Sequence, residues 1–336
     1  PIKTIMKSVY TAKQIEDIVL SGKSLDSLPS DAVLTPSAKD YLKELESPGF
    51  GSGNSKIAAE RALDLEPPTL PDYEFKWKPG NDPKTPGEIL DFFHSPEVHT
   101  LKERICDLGK RMWQRNYTDG NGGNMTIRVG DNLVLCTPTL ICKGFMKPED
   151  MCLVDLNGKQ LAGRRPRTSE CMTHLAIMKR QPKCKAVCHS HPPHATAFAV
   201  AGVRPPLCMI PEADVFLGEI GMAPYRTPGT PDVADIVGET GVNHMSVLML
   251  NHGVITWGDH IEEAYWRMEN TEALCRTVWV ATQLNNGKML TMTDGQERDL
   301  IEIRKSLGME DHREHLPDNQ LCNNDQFRPG VVCNSK

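Results

Sequence analysis

The run "AVCHSHPP", residues 186–193, constrains the fold more than any other segment. Its first three residues are apolar without a break, the pattern of a strand buried on both faces. A strand turns residues i and i+2 to the same face. His189 and His191 therefore stand side by side, and Pro192-Pro193 stops the strand just beyond them. Such a strand needs neighbours and covering helices. "NMTIRVGDNLVLCTP" reads as a β-hairpin around Gly130-Asp131, and "SVLMLNHGVITWG" as a strand pair or bent strand. "SPEVHTLKERICDLGKRMWQR" reads as a helix with Ser95 as N-cap and Pro96 in its first turn. "SECMTHLAIMKRQ", "HATAFAVAG" and the long amphipathic "HIEEAYWRMENTEALCRTVWVATQL" read as further helices. Strands alternating with helices predict a layered α/β domain.

Four zones divide the 336 residues. Residues 1–45 form a helical extension. "YTAKQIEDIVLSG" places Ile15, Ile18 and Val19 on one face, and "TPSAKDYLKELE" offers Thr35 as a second N-cap. Residues 46–87 are a Gly/Pro-rich linker, 88–295 the compact domain, and 296–336 a C-terminal helix and polar tail. A net charge of −6 carries no footprint for nucleic acid. No apolar run approaches the roughly 20 residues that span a bilayer, and the first residues lack a signal-peptide core. The 11 cysteines are odd in number and lack a C-x-x-C pair, so they do not read as a secreted disulfide framework. Cys136, Cys152 and Cys188 read as small core residues. These features predict a cytoplasmic protein with no nucleic-acid or membrane partner.

Two imidazoles on one strand face can chelate a cation, and a third ligand from elsewhere leaves the open position of a catalytic site. His252, in "LMLNHGV", is the best third candidate. His194 faces another way. In "TDGNGGNMT", Gly122, Gly123 and Asn124 belong to a loop whose successive N–H groups can form an anion nest. In "RTSECMTH", Thr168 or Ser169 is placed to cap a helix with Glu170 in its first turn, a setting suited to a phosphate or carboxylate. His174 shares that helix face and reads as packing.

In this order, "GNGGNMTIRV", "LCTPT", "TSECMTH", "AVCHSHPPHATAFA", "APYRTPGT" and "LNHGVITWG" resemble the class II aldolase/adducin family over roughly residues 95–285. The resemblance implies a three-layer α/β/α sandwich around a mostly antiparallel sheet, commonly in a homotetramer, and a divalent metal, usually Zn2+, with Mn2+ or Co2+ compatible. By position His189, His191 and His252 match the metal ligands, and Glu170 the aldolase acid/base where epimerases carry Asp. Gly122, Gly123, Asn124, Thr137, Thr139, Thr168 and Ser169 match the phosphate-binding segments. The chain departs from the pattern twice. Leu140 replaces a frequent glycine, and the region that supplies a neighbouring subunit's site with a tyrosine, here "CMIPEADVFLG", offers Glu212 instead. The implied activity is cleavage of a ketose 1-phosphate, such as L-fuculose or L-rhamnulose 1-phosphate, to dihydroxyacetone phosphate and an aldehyde such as L-lactaldehyde. Decarboxylase, dehydratase and 4-epimerase activities are the alternatives within the family, and an adducin-like interaction module the one outside catalysis. Residues 1–87 lie outside the resemblance. Their helix and linker look similar to peptides that load enzymes into bacterial microcompartments.

Overall fold

The computed structural model describes residues 75–284 and 287–324, together with short stretches between residues 9 and 43. The chain forms two compact units, Pro1–Pro71 and Asp72–Lys336. In the first, β1 (Val9–Tyr10) pairs in parallel with β2 (Val33–Leu34). Between them lies α1 (Ala12–Leu20), opened by a capping box in which Thr11 and Gln14 satisfy each other's N–H groups. Ile15 is buried. Thr35 behaves as a cap too: Ala38 N–H donates to its Oγ1 at 3.3 Å. Most of the linker, and residues 325–336 of the tail, lie outside the described residues.

The second unit is built on one sheet, eight-stranded among the described residues. In chain order its strands are β3 (Asn124–Arg128), β4 (Leu133–Cys136), β5 (Cys152–Asp155), β6 (Gln160–Ala162), β7 (Ala186–Ser190), β8 (Gly221–Ala223), β9 (Ser246–Met249) and β10 (Gly253–Gly258). Across the sheet they run β6-β5-β4-β3-β7-β10-β9-β8, antiparallel throughout except for the β8–β9 pair. The segment "AVCHS" is thus an interior strand between β3 and β10, buried at every position.

Alternation along the strands sorts side chains into two cores. Ala186, Cys188, Met125, Ile127, Leu135 and Val254 face one. Val187, Val134, Cys136, Val154, Val247 and Ile255 face the other. The first core is closed by α2 (Pro86–Phe93), α3 (Pro96–Gln114), α5 (Pro193–Ala201) and α8 (Ile261–Gln283). The second is closed by α4 (Cys171–Arg180) and α7 (Pro231–Thr240). The result is the expected three-layer sandwich. Ser95 caps α3 through its side chain and Pro96 occupies the first turn. Beyond the sandwich, α6 (Pro211–Phe216) packs on α8 and α9 (Asp294–Ser306).

Two long-range ties carry no local sequence signal. Asp82 accepts from the N–H groups of Asp131 and Asn132, and Asp131 accepts from Trp77 Nε1 and Gly80 N–H. Residues 77–82 are thereby pinned to the β3–β4 turn. Cys208 and Cys322 form a disulfide across 114 positions, whereas Cys136, Cys152 and Cys188 are free and fully buried, as their apolar surroundings predict. Leu135→Ala, at a fully buried position of the first core, is expected to cost about 2–5 kcal/mol in a denaturant unfolding experiment.

Candidate functional site

The site grows from strand register. In the antiparallel ladders His189 lies opposite Ile255 on β10 and opposite Asn124 on β3. His191 follows the last residue of β7, where its N–H donates to Tyr117 O at 2.8 Å. His252 sits in the turn joining β9 to β10, which Asn251 makes possible by adopting φ 55°. The next residue must be glycine: a Cβ on Gly253 would lie 2.5 Å from His191 Cδ2 and 2.7 Å from Ser190 O. The three imidazoles converge, with one ring nitrogen of each within 4.8 Å of the others.

Hydrogen bonds fix which nitrogen of His189 is free. Its Nδ1 lies 2.8 Å from Val254 O. A carbonyl oxygen can only accept, so Nδ1 carries the proton and Nε2 presents a lone pair. His191 is oriented through Nδ1 by Asp119 Oδ1 at 3.2 Å. The buried Nε2 atoms of His189 and His191 and the Oδ1 of Asn124 have no hydrogen-bond partner among the described residues.

Glu170 completes the cluster. Its Oε2 is 3.3 Å from His189 Nε2 and its Oε1 is 3.3 Å from His252 Nε2. Asn124 Nδ2 donates to Oε2 at 2.8 Å. Burial pushes His189 down to about 3, so its ring is neutral near pH 7. Burial also pulls the Glu170 carboxyl up, but the charge that His189 and His252 carry when protonated and the Asn124 donor outweigh it, so Glu170 ionises far below pH 7 and is a carboxylate there. The lone pair of a neutral imidazole therefore faces an anion at close range, an arrangement that calls for a cation between them. Neutral imidazoles with one carboxylate are a donor set that fits zinc, manganese or cobalt.

The structure corrects the expected helix cap. Glu170 itself, not Thr168 or Ser169, occupies the N-cap position of α4, with no side-chain capping bond. That frees its carboxylate for the histidines, while Thr168 Oγ1 accepts from Glu170 N–H at 3.4 Å. Thr137 is buried and spends its hydroxyl on Met125 N–H. Thr139 N–H donates to Pro166 O, and Ser169 is exposed. Gly122 N–H closes a turn onto Asp119 O, and Gly123 needs its φ of 73° to pass beneath His189 O. Glu212 is exposed in the first turn of α6 and is not among the groups gathered at the histidines. His174 bonds to Thr126 within the core, and His194 pairs with Glu272 at 2.6 Å.

Two residues of the surroundings escaped the sequence reading. Asp119 is one. The other is Lys143, whose buried ammonium donates to Asn121 O and Ile141 O and so ties the glycine-rich loop to the chain after Thr139. Burial lowers its pKa to about 8. Asp119 lies in the glycine-rich "TDGNGGNMT" stretch but carries no ligand spacing of its own, and Lys143 belongs to no motif. Leu140 holds φ 55°, the conformation a glycine would take there, with its side chain 79% exposed. Leu140→Gly is accordingly expected to leave thermal stability unchanged or raise it by up to about 1 kcal/mol, because relief of strain exceeds the entropy cost of glycine. If the three histidines hold a divalent cation, Asp119→Ala is expected to weaken its binding about tenfold in a competitive chelator titration. In both proteins that affinity should fall as pH is lowered, since protons compete for the imidazole lone pairs.

Residues 103–279 match the family model described as class II aldolase and adducin N-terminal domain. The chain is 32% identical over 203 residues to the 3-oxo-tetronate 4-phosphate decarboxylase of Haemophilus influenzae, covering 59% of this chain and 95% of that protein. It is 38% identical over 178 residues to the L-fuculose phosphate aldolase of Methanococcus vannielii, covering 52% and 93%. A solved structure of L-fuculose 1-phosphate aldolase superposes with a TM-score of 0.57 at 25% identity, over 63% of this chain and 97% of that one. With the fold, the motifs in order and the family model in agreement, this chain belongs to the class II aldolase/adducin family.

Proposed function

We propose that the chain is a metal-dependent lyase that cleaves a ketose 1-phosphate, L-fuculose or L-rhamnulose 1-phosphate, to dihydroxyacetone phosphate and an aldehyde such as L-lactaldehyde. The observation that carries this reading is the lone pair of His189 Nε2 facing the Glu170 carboxylate at 3.3 Å. His189, His191 and His252 would hold the cation, taken as Zn2+. When bound, it supplies Lewis acidity toward the negative charge that develops as the carbon–carbon bond breaks.

The chain's own groups do the rest. Loss of the C4 hydroxyl proton lets the C3–C4 bonding pair move toward C2 as the aldehyde departs. Glu212, reaching the site from a second copy of the chain in a homotetramer, takes that proton in place of the family's tyrosine. Glu170, having taken up a proton from solvent, delivers it to C3 and returns to the carboxylate, while Glu212 releases its proton to solvent. Asn124 holds the Glu170 carboxylate in line through its 2.8 Å hydrogen bond. The phosphate would lie against the 122–124 loop, Thr139 and the Thr168–Ser169 segment. Thr137, its hydroxyl engaged, shapes that segment from beneath. The buried Lys143 holds the loop in place and adds positive charge near it.

A second reading is decarboxylation of a 3-oxo sugar-acid phosphate, which leaves a similar electron pair beside a carbonyl. The match to the Haemophilus influenzae decarboxylase along 95% of its length favours it. One assay separates the two: dihydroxyacetone phosphate release from the two ketose 1-phosphates against carbon dioxide release from a 3-oxo-tetronate 4-phosphate. Glu170→Gln is expected to lower turnover by about 10²–10⁴-fold. Full turnover in that variant would remove Glu170 from the mechanism, and carbon dioxide release alone would replace the aldolase reading with the second.

A further inference from the structure

A second cluster lies at the other end of β9, sharing no residue with the first. Glu219 precedes β8, the edge strand of the sheet, and His244 precedes β9. His312 opens the 3-10 turn His312–His315 that follows α9. The three bring one ligand atom each within 4.8 Å of one another. His312 Nε2 is 2.6 Å from Glu219 Oε2, and the rings of His244 and His312 are 5.4 Å apart.

Partners behind the cluster orient it. His244 Nδ1 lies 2.8 Å from Thr240 O, so Nδ1 carries the proton and Nε2 offers a lone pair. The other oxygen of Glu219 is held by the Arg204 guanidinium, which leaves Oε2 to face the histidines. Glu219 and His244 are partly shielded, while His312 borders a solvent-open cavity of about 270 Å³ that provides a path of entry. Two imidazoles and one carboxylate, each backed or exchangeable and open on one side, are the ligand types of a three-residue zinc site.

We propose that Glu219, His244 and His312 form a second divalent-cation site, of the zinc class, that fastens the chain after α9 to the edge of the sheet. In its absence the 2.6 Å contact is a hydrogen bond whose proton lies between His312 and Glu219. A cation entering there displaces that proton to solvent and takes the freed lone pairs. The Cys208–Cys322 disulfide holds the same C-terminal stretch to a different loop, so the two ties act on one segment at separate points.

Zinc per chain, measured by elemental analysis after equilibration at micromolar free zinc and gel filtration, tests the assignment on the full chain. The wild type is expected to hold two equivalents, and His312→Ala one. Glu219→Gln, which keeps a side chain able to accept from Arg204, is also expected to hold one. In a His252→Ala background zinc should still raise the thermal midpoint and slow proteolysis after residue 306, and adding His312→Ala should abolish both effects. Equal zinc in wild type, His312→Ala and Glu219→Gln would overturn the proposal and leave a plain histidine–carboxylate hydrogen bond. If instead His252→Ala matched the wild type while His312→Ala lost an equivalent, the second site would stand and the first would fall.

Discussion

The hydrogen bond from His189 Nδ1 to Val254 O decides what the site can do. It exists because β7 and β10 pair in a register that sets Ser190 opposite Val254 and His189 opposite Ile255. A slip of one residue would turn His189 into a core and Cys188 toward the site. The register is locked by the burial of both sheet faces. Ala186 and Cys188 fill one core and Val187 the other, so no shift is possible without exposing apolar side chains to polar partners. The apolar sandwich thus determines the tautomer of one imidazole, and that tautomer leaves Nε2 with the lone pair that could take a cation.

Electrostatics follow from the same burial. A neutral His189 and an ionised Glu170 in contact at 3.3 Å do not stabilise each other directly. The pair is sustained by hydrogen bonds around it, with Asn124 donating to the carboxylate and Val254 O accepting from the ring. Asn124 is where it is because it opens β3 directly opposite His189. Strand ends thereby supply three of the groups at the centre. The turn at His252 and the freed cap of α4 supply the others, and glycine at 253 leaves room for the imidazoles to meet.

Much of this is legible in the sequence, and the division between what is and what is not has a physical basis. The unbroken apolar run and the Pro-Pro stop identify β7, and the two-residue period of a strand places His189 and His191 together. The caps at Thr35 and Ser95 are local hydrogen-bond patterns and are found where the residues suggest. The cap of α4 is misplaced by one or two positions because Thr168 and Ser169 are better cap formers than Glu170. The fold overrides that preference to aim the carboxylate. Pairings between distant segments leave no periodic trace. Cys208 with Cys322, His191 with Asp119 and the Glu219–His244–His312 group each join residues whose separation carries no motif. Lys143 is hidden for another reason: a lysine in a mixed stretch reads as exposed, and only the tertiary structure shows its ammonium buried against two carbonyls.

The most direct test of the account is an anomalous-difference map, recorded on both sides of the zinc absorption edge, from crystals equilibrated with zinc. The expected result is a peak about 2.0–2.1 Å from the Nε2 atoms of His189, His191 and His252, with His189 Nδ1 still bonded to Val254 O. Crystals with zinc in the solvent but no peak between those nitrogens, or with His189 Nε2 donating a proton to Glu170, would contradict it.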